Sequence, residues 1–329
     1  MDGRDYEALF TKVPEPGDDH SRWLDGITRQ RVRTTHAGQV LYVDSYPVYT
    51  SAMMRQAREI TAKRKPMRQT CEAMRRVHAN HARRKLAALC NLNFGPGDLL
   101  MTLTYRPDDQ NRPATAEDAK RDVAAYLRGV NAQRKKRGLD NARYVYVIET
   151  TESKKHGRQH HCHLLIGGDG MTELELRAMW RKRHPDARVA TDCVWDRPEG
   201  LSSWAAYVTK ADDRVEDEAT GQTVETAKRW YRSANLKKPQ TTVADTKLSR
   251  TRAERIARDF DMGGREIMEK IYRGYQVLDL YVKTSDWLPG AYIYAVMAKK
   301  EDVDAARGKA AGADKQNRPG RAGGGAGAE

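Results

Sequence analysis

The sequence predicts an α+β fold built round an antiparallel sheet, and three observations carry that prediction. Between Leu99 and Trp195 the apolar pattern switches between period two and the helical period in the order strand, helix, strand, strand, helix, strand. One of those strands carries paired histidines. The remaining sequence is strongly polar, with 32% charged residues and a mean hydropathy of −0.83. A βαββαβ order is the ferredoxin-like plan, in which helices cover one face of the sheet and leave the other for a ligand. The predicted division is a region 1–94 with an arm, a strand hairpin and a basic helix, a core 95–245, a C-terminal α/β extension 246–300, and a tail 301–329.

In chain order, the acidic, proline-bearing stretch up to Gly26 shows no sustained period and is expected to be a loose arm. Arg31 to Tyr49 reads as two strands turned at His36-Ala37-Gly38, with Val40, Tyr42, Val43, Tyr46 and Val48 as β-formers. Thr70 to Leu92 favours helix, and Arg75, Arg76, Arg83, Arg84 and Lys85 give it a basic side. Asn93 to Asp98 breaks the chain. The core then predicts strands at Leu99–Tyr105, Tyr144–Thr150, Gln159–Gly167 and Arg188–Trp195, with helices at Thr115–Arg137 and Thr172–Arg183. A further helix is expected over Leu201–Ala211, followed by a polar loop or hairpin from Asp212 to Thr226. Ser249 to Phe260 reads as a basic amphipathic helix, and Tyr272 to Met297 as strands around the Trp287-Leu288-Pro289-Gly290 turn. The Ala/Gly-rich composition after Lys300 predicts disorder.

The net charge of +14 and pI near 9.6 point to a polyanionic partner, nucleic acid first, because a Lys/Arg-rich face releases counterions from phosphates. Four scattered cysteines without CxxC spacing argue against a disulfide framework and a structural zinc site. No run approaches the roughly 18 apolar residues of a membrane span, and the first residues lack a signal-peptide pattern. A cytoplasmic location is expected.

The residues with chemistry cluster in Gly157 to Ile166. On a strand, His161, His163 and Leu165 share one face, while His160, Cys162, Leu164 and Ile166 take the other. Two adjacent imidazoles can hold a divalent cation if a carboxylate joins them, and Glu149 ends the preceding strand on the same face as Val145 and Val147. That donor set suits Mg²⁺ or Mn²⁺ acting on phosphate. His160 remains an alternative ligand from the opposite face. In the helix from Leu201, the positions Leu201, Trp204, Ala205 and Val208 form a buried stripe, leaving Tyr207 and Lys210 off it, three apart and neighbours. A phenol is a weak nucleophile at neutral pH unless a metal and an ammonium favour its attack. Trp230, Tyr231, Lys237 and Lys238 form an aromatic-basic segment able to stack on bases and hold phosphates, with packing on the sheet as the alternative. Arg158, just before the histidines, is a further nucleic-acid contact.

Leu100 to Tyr105, His161-Cys162-His163 and Tyr207-Val208-Thr209-Lys210 together resemble the three ordered motifs of the HUH (His-hydrophobic-His) rolling-circle replication initiators. The closer similarity is to the replication-associated proteins of small single-stranded DNA phages, prophages and plasmids, and it spans roughly Leu99 to Pro239. The resemblance implies a nickase with a ferredoxin-like HUH endonuclease core. In it, His161 and His163 bind a divalent ion, Tyr207 attacks the scissile phosphodiester and Lys210 assists. It further implies a 5′-phosphotyrosine link, a free 3′-hydroxyl for a polymerase, later rejoining, and single-stranded or hairpin origin DNA as partner in a bacterial host. Glu149 as third ligand is inferred from the hairpin, not from the family. Some phage initiators place a second tyrosine one helical turn earlier, where this chain has Ser203. The absence of a GxxxxGK[ST] loop predicts a helicase borrowed from the host.

Three other readings remain open. A relaxase or single-tyrosine transposase would share the chemistry, and a non-catalytic nucleic-acid-binding protein would share the basic surface. A histidine-triad hydrolase lacks its third alternating histidine, since that position is Leu165.

Overall fold

The computed structural model describes residues 6–15, 18, 23–64, 68–153, 157–194, 197–209, 215–216, 223–224 and 230–305. The elements in order are β1 (Ile27–Ala37), β2 (Val40–Tyr49), α1 (Ser51–Arg64), α2 (Arg68–Asn93), β3 (Leu99–Thr104), α3 (Ala116–Lys136), β4 (Tyr144–Ser153), β5 (Gly157–Ile166), α4 (Glu173–Arg183), β6 (Val189–Cys193) and α5 (Ser202–Val208). They are followed by β7 (Val215–Glu216), β8 (Thr223–Val224), β9 (Tyr231–Arg232), β10 (Gln240–Ala244), α6 (Arg250–Arg258), α7 (Gly263–Ile271), β11 (Tyr275–Lys283) and β12 (Tyr292–Lys299). The tail from 306 onward lies outside the described residues.

The architecture is α+β, with two five-stranded antiparallel sheets. The first sheet runs β6-β3-β5-β4-β9, so the first and third strands of the βαββαβ unit are central, as in the predicted plan. Its two crossover helices begin with capping boxes. Thr115 with Asp118 caps α3, and Thr172 with Glu175 caps α4, each pair satisfying donors at the helix start. Val123, Tyr126, Leu127 and Val130 of α3, with Leu176 and Trp180 of α4, then pack on Met101, Leu103, Cys162 and Leu164.

The opposite face was expected to be open, and there the structure corrects the expectation. The end of α2 (Leu86, Ala87, Leu89, Cys90) and the buried stripe of α5 cover it around Val145, Val147 and Leu165. Only the end of β4 and β5 that carries the polar residues stays accessible. The reason is the second sheet, ordered β10-β1-β2-β12-β11, whose Ala37, Val40 and Tyr42 join the same interlayer core. Strands from both flanks of the central unit therefore form one sheet, with α6 and α7 packed on its far side.

The N-terminal arm also departs from expectation. A turn of 3₁₀ helix at Glu7–Leu9 places Tyr6, Leu9 and Phe10 in a buried aromatic cluster with Tyr46, Tyr49, Tyr292 and Tyr294. The Tyr6 hydroxyl donates to the Pro47 carbonyl, and Tyr294 donates to the Glu7 carboxylate. Apolar side chains with no repeating period leave no helical or strand signal, yet their burial outweighs the cost of ordering the segment.

Candidate metal centre and tyrosine

Strand register builds the polar cluster. In the β4–β5 hairpin Glu149 stands directly opposite His161, and Val147 opposite His163. On the other side of β5, Thr102 of β3 faces His163 and Thr104 faces His161. The pleat therefore collects Glu149, His161, His163, Thr102 and Thr104 on one face at one end of the sheet.

The Nε2 atoms of His161 and His163 lie 2.9 and 2.7 Å from the same Glu149 oxygen. One ligand atom from each residue lies within 4.8 Å of the others, as a shared cation requires. Among the described residues this is the one such group. Burial pushes the Glu149 carboxyl upward, but the hydrogen bond from His163 and the charges of His161 and His163 outweigh it, so the net shift is downward. Burial is also the main cause holding His163 below the ordinary imidazole value. The Glu149 hydrogen bond opposes that shift and His161 adds to it. An ionised carboxylate and a neutral imidazole are the forms in which these side chains ligate metals. The Thr102 hydroxyl, 3.4 Å from His163 Nδ1, can donate to or accept from that nitrogen, so either imidazole tautomer finds a partner.

Tyr207 comes to this cluster from α5. Its ring meets His163 edge-on, with centroids 5.4 Å apart, and it is 59% exposed. The short helix is fixed by a polar node at its start. The Leu201 backbone N–H donates to Asn91 Oδ1 at 2.6 Å, Asn91 Nδ2 donates to the Tyr42 hydroxyl at 2.9 Å, and Tyr42 and Ser202 hydroxyls pair at 2.7 Å. Gly200 has φ +56°, and a Cβ there would sit 2.4 Å from Asn91 Oδ1, so this approach requires glycine. At the helix end the Thr209 hydroxyl donates back to the Ala205 carbonyl at 2.6 Å. Arg83 of α2 donates to Thr209 Oγ1 at 3.4 Å.

Sequence reasoning missed Asn91, Tyr42, Gly200 and Thr102. Thr102 was findable, since it alternates with Leu103 on a strand bound to pair with the histidines. Asn91 and Tyr42 carry no local signal.

The structure brings together Glu149, His161, His163 and Tyr207. Lys210 lies outside the described residues. Arg158 sits in β5 opposite Glu152, and its side chain is likewise outside them. His160 points to the other face, where Nδ1 lies 2.9 Å from the Thr150 hydroxyl and Nε2 3.4 Å from the Ala114 carbonyl. The aromatic-basic segment is divided. Tyr231 stacks on Tyr146 at 5.0 Å with Lys120 over its ring, and Trp230 packs against the interlayer core, while Lys237 and Lys238 stay exposed.

Residues 98–212 match the family of the replication-associated protein ORF2. The matched segment begins just before β3 and runs past α5, so it contains the whole βαββαβ unit, the three converging side chains and Tyr207. The match supports a role in initiating DNA replication and, in general terms, an endonuclease activity. No curated protein and no solved structure matches the chain. No described helix is long and apolar enough to cross a membrane.

Proposed function

We propose that this protein is an HUH-type initiator that nicks single-stranded origin DNA through Tyr207 and later rejoins the strand. The observation that carries the reading is the convergence of Glu149, His161 and His163 on one point with the exposed Tyr207 ring against His163. A half-exposed nucleophile beside a shallow polar cluster suits a polymer that must lie across the surface.

Glu149, His161 and His163 would hold a divalent cation, Mg²⁺ or Mn²⁺. When bound, it supplies positive charge at a phosphate oxygen and so stabilises the developing phosphorane. The Tyr207 oxygen attacks the scissile phosphorus. A P–O(Tyr) bond forms as the P–O3′ bond breaks. The phenolic proton is lost to water, and the departing 3′ oxygen takes one up to become a free hydroxyl. The 5′ phosphate stays on Tyr207 as a phosphodiester, so its energy is kept for the reverse attack by a 3′-hydroxyl, which rejoins the strand. Lys210, three residues on, is assigned the role of lowering the cost of the phenolate. Ser203 is exposed, and its hydroxyl lies 3.5 Å from Glu199. Its side chain is too short to reach a phosphate placed for Tyr207, so one covalent link per site is expected. The 3′ end would prime a host polymerase behind a host helicase.

The test is incubation with a library of single-stranded oligonucleotides and Mn²⁺, followed by mass mapping of any protein–DNA adduct. A single adduct on Tyr207, absent from Tyr207→Phe, is expected. An adduct on another residue would overturn the nucleophile. Salt-sensitive binding with no adduct would return the protein to the non-catalytic class.

A further inference from the structure

Outside the matched segment, the second sheet carries a cationic groove between β1 and α1. Arg29 and Arg31 contribute from the strand, Arg55 and Arg58 from the helix, and none of its described lining residues is a carboxylate. We propose that this groove is a second DNA site, which grips the phosphate backbone of duplex flanking the nicked strand. The choice of DNA among polyanions rests on the proposed replication role. The groove's charge and shape do not.

The construction favours phosphates. Asp245 lies between Arg29 and Arg31, with Nε atoms 2.6 and 2.7 Å from its two oxygens. One carboxylate shared by two guanidiniums orients both forks and leaves them a net positive charge. Arg55 and Arg58 are exposed and three apart on α1, so they share a helix face. Two arginine pairs on different elements thus line one groove.

The same groove offers nothing to stack on. Tyr6 and Tyr49 line it, but both rings are buried. Their hydroxyls are committed to the carbonyls of Pro47 and Pro289 respectively. A single-strand path needs exposed aromatic faces for its bases. Cations without such faces suit a duplex, whose bases are already stacked and whose phosphates lie outside. Such contacts position DNA without reading its sequence. Arg84 of α2 joins the two sheets electrostatically, pairing with Asp44 at 2.6 Å and lying over the Tyr294 ring, while Arg83 beside it touches Thr209. A duplex held on the second sheet would therefore be referred to α5 through a helix that contacts both.

The decisive experiment compares full-length wild type with R55Q/R58Q, which leaves the Asp245 pairs intact. Binding is measured as a function of salt on a single-stranded oligonucleotide and on the same strand extended by a duplex arm. Loss of two phosphate contacts should lower the log–log salt slope by about 1.8 and weaken duplex-arm binding about 10-fold near 0.1 M salt. Binding of the single strand alone should not change. K135Q/K136Q, an equal charge loss at the exposed end of α3, should leave both slopes as in wild type. An unchanged slope in R55Q/R58Q would overturn the proposal, as would an equal fall in both variants or an equal loss on the single strand. Loss of binding to phosphatidylserine vesicles with duplex binding intact would assign the groove to a membrane surface instead. The readout needs no cleavage. A wild type that forms no adduct would therefore defeat the nicking mechanism while the salt slopes still decided the groove.

Discussion

The two sheets of this molecule do different work with similar frameworks. The first is built around one continuous stretch, β3 to β6, and ends in a polar cluster of Glu149, His161 and His163 near an exposed tyrosine. The second is assembled from strands more than 200 residues apart and encloses an aromatic core, with Tyr292 stacked on Tyr46 at 5.6 Å and edge-on to Phe10 at 4.7 Å. Tyrosine shows the contrast best. In the second sheet its hydroxyls are tied to carbonyls or to Glu7, and burial pushes the phenols of Tyr292 and Tyr294 well above their ordinary value. Beside the first sheet one tyrosine is left in solvent next to a histidine. Burial makes a phenol inert, and exposure beside cation ligands makes it available.

The largest expected effect lies at Tyr207. Tyr207→Phe should reduce adduct formation to background while keeping wild-type affinity for single-stranded DNA at fixed salt. It should also unfold at the wild-type temperature, because a side chain this exposed contributes little packing. A parallel loss of affinity would mean that the ring binds DNA instead of attacking it.

Substitutions at the three converging side chains come next. The His161→Ala, His163→Ala double variant should fail to cleave at limiting Mn²⁺. Glu149→Ala should raise the Mn²⁺ concentration for half-maximal cleavage by at least about 10-fold. If Glu149→Ala titrates like wild type, the third ligand is another residue.

The second sheet should respond in the opposite way. Tyr292→Ala removes a fully buried ring and should cost about 3–5 kcal/mol in denaturant unfolding. The Mn²⁺ requirement of the protein that remains folded should not change. A shifted requirement would show that the aromatic core tunes the site across α2.

A smaller and pH-dependent effect is expected at His184. It is buried on the first sheet's helical side, with Nδ1 2.7 Å from Asp109 and Nε2 2.6 Å from Asp122. Burial lowers its affinity for a proton, but the two carboxylates outweigh burial and the net shift is upward. A raised folded value contributes stability in full below the unfolded imidazole value of about 6.5, and that contribution is lost as pH rises through the folded value. His184→Gln should therefore cost about 2 kcal/mol near pH 6, with the gap to wild type narrowing at alkaline pH. A gap that widens with pH would refute the charged-histidine account.

The smallest effect is expected on the edge strand side. Replacing the exposed Lys237 and Lys238 with alanine should weaken single-strand binding modestly and lower its salt slope by up to about 1.8. An unchanged slope would remove the segment from the DNA path.

The sequence by itself determined the βαββαβ order, both crossover helices, and the alternation that puts His161 and His163 on one face with Tyr207 off the buried stripe of its helix. These are local properties, set by periods of 2 and 3.6 residues and by capping residues within one turn of each helix start. The pairing of Glu149 with His161 was also legible, because a hairpin leaves few registers when one face is buried. Only the tertiary structure decided that β1 and β2 share a sheet with β10, β11 and β12, and that Tyr6 and Phe10 fill its aromatic core. It also decided that α2 and α5 cover most of the face expected to be free. It alone placed Asn91 under Leu201 and Ser202, the contact that sets α5 and hence Tyr207 against His163. Each of these joins residues separated by tens to hundreds of positions, and their choice depends on shape and buried area summed over several elements, which no local period encodes.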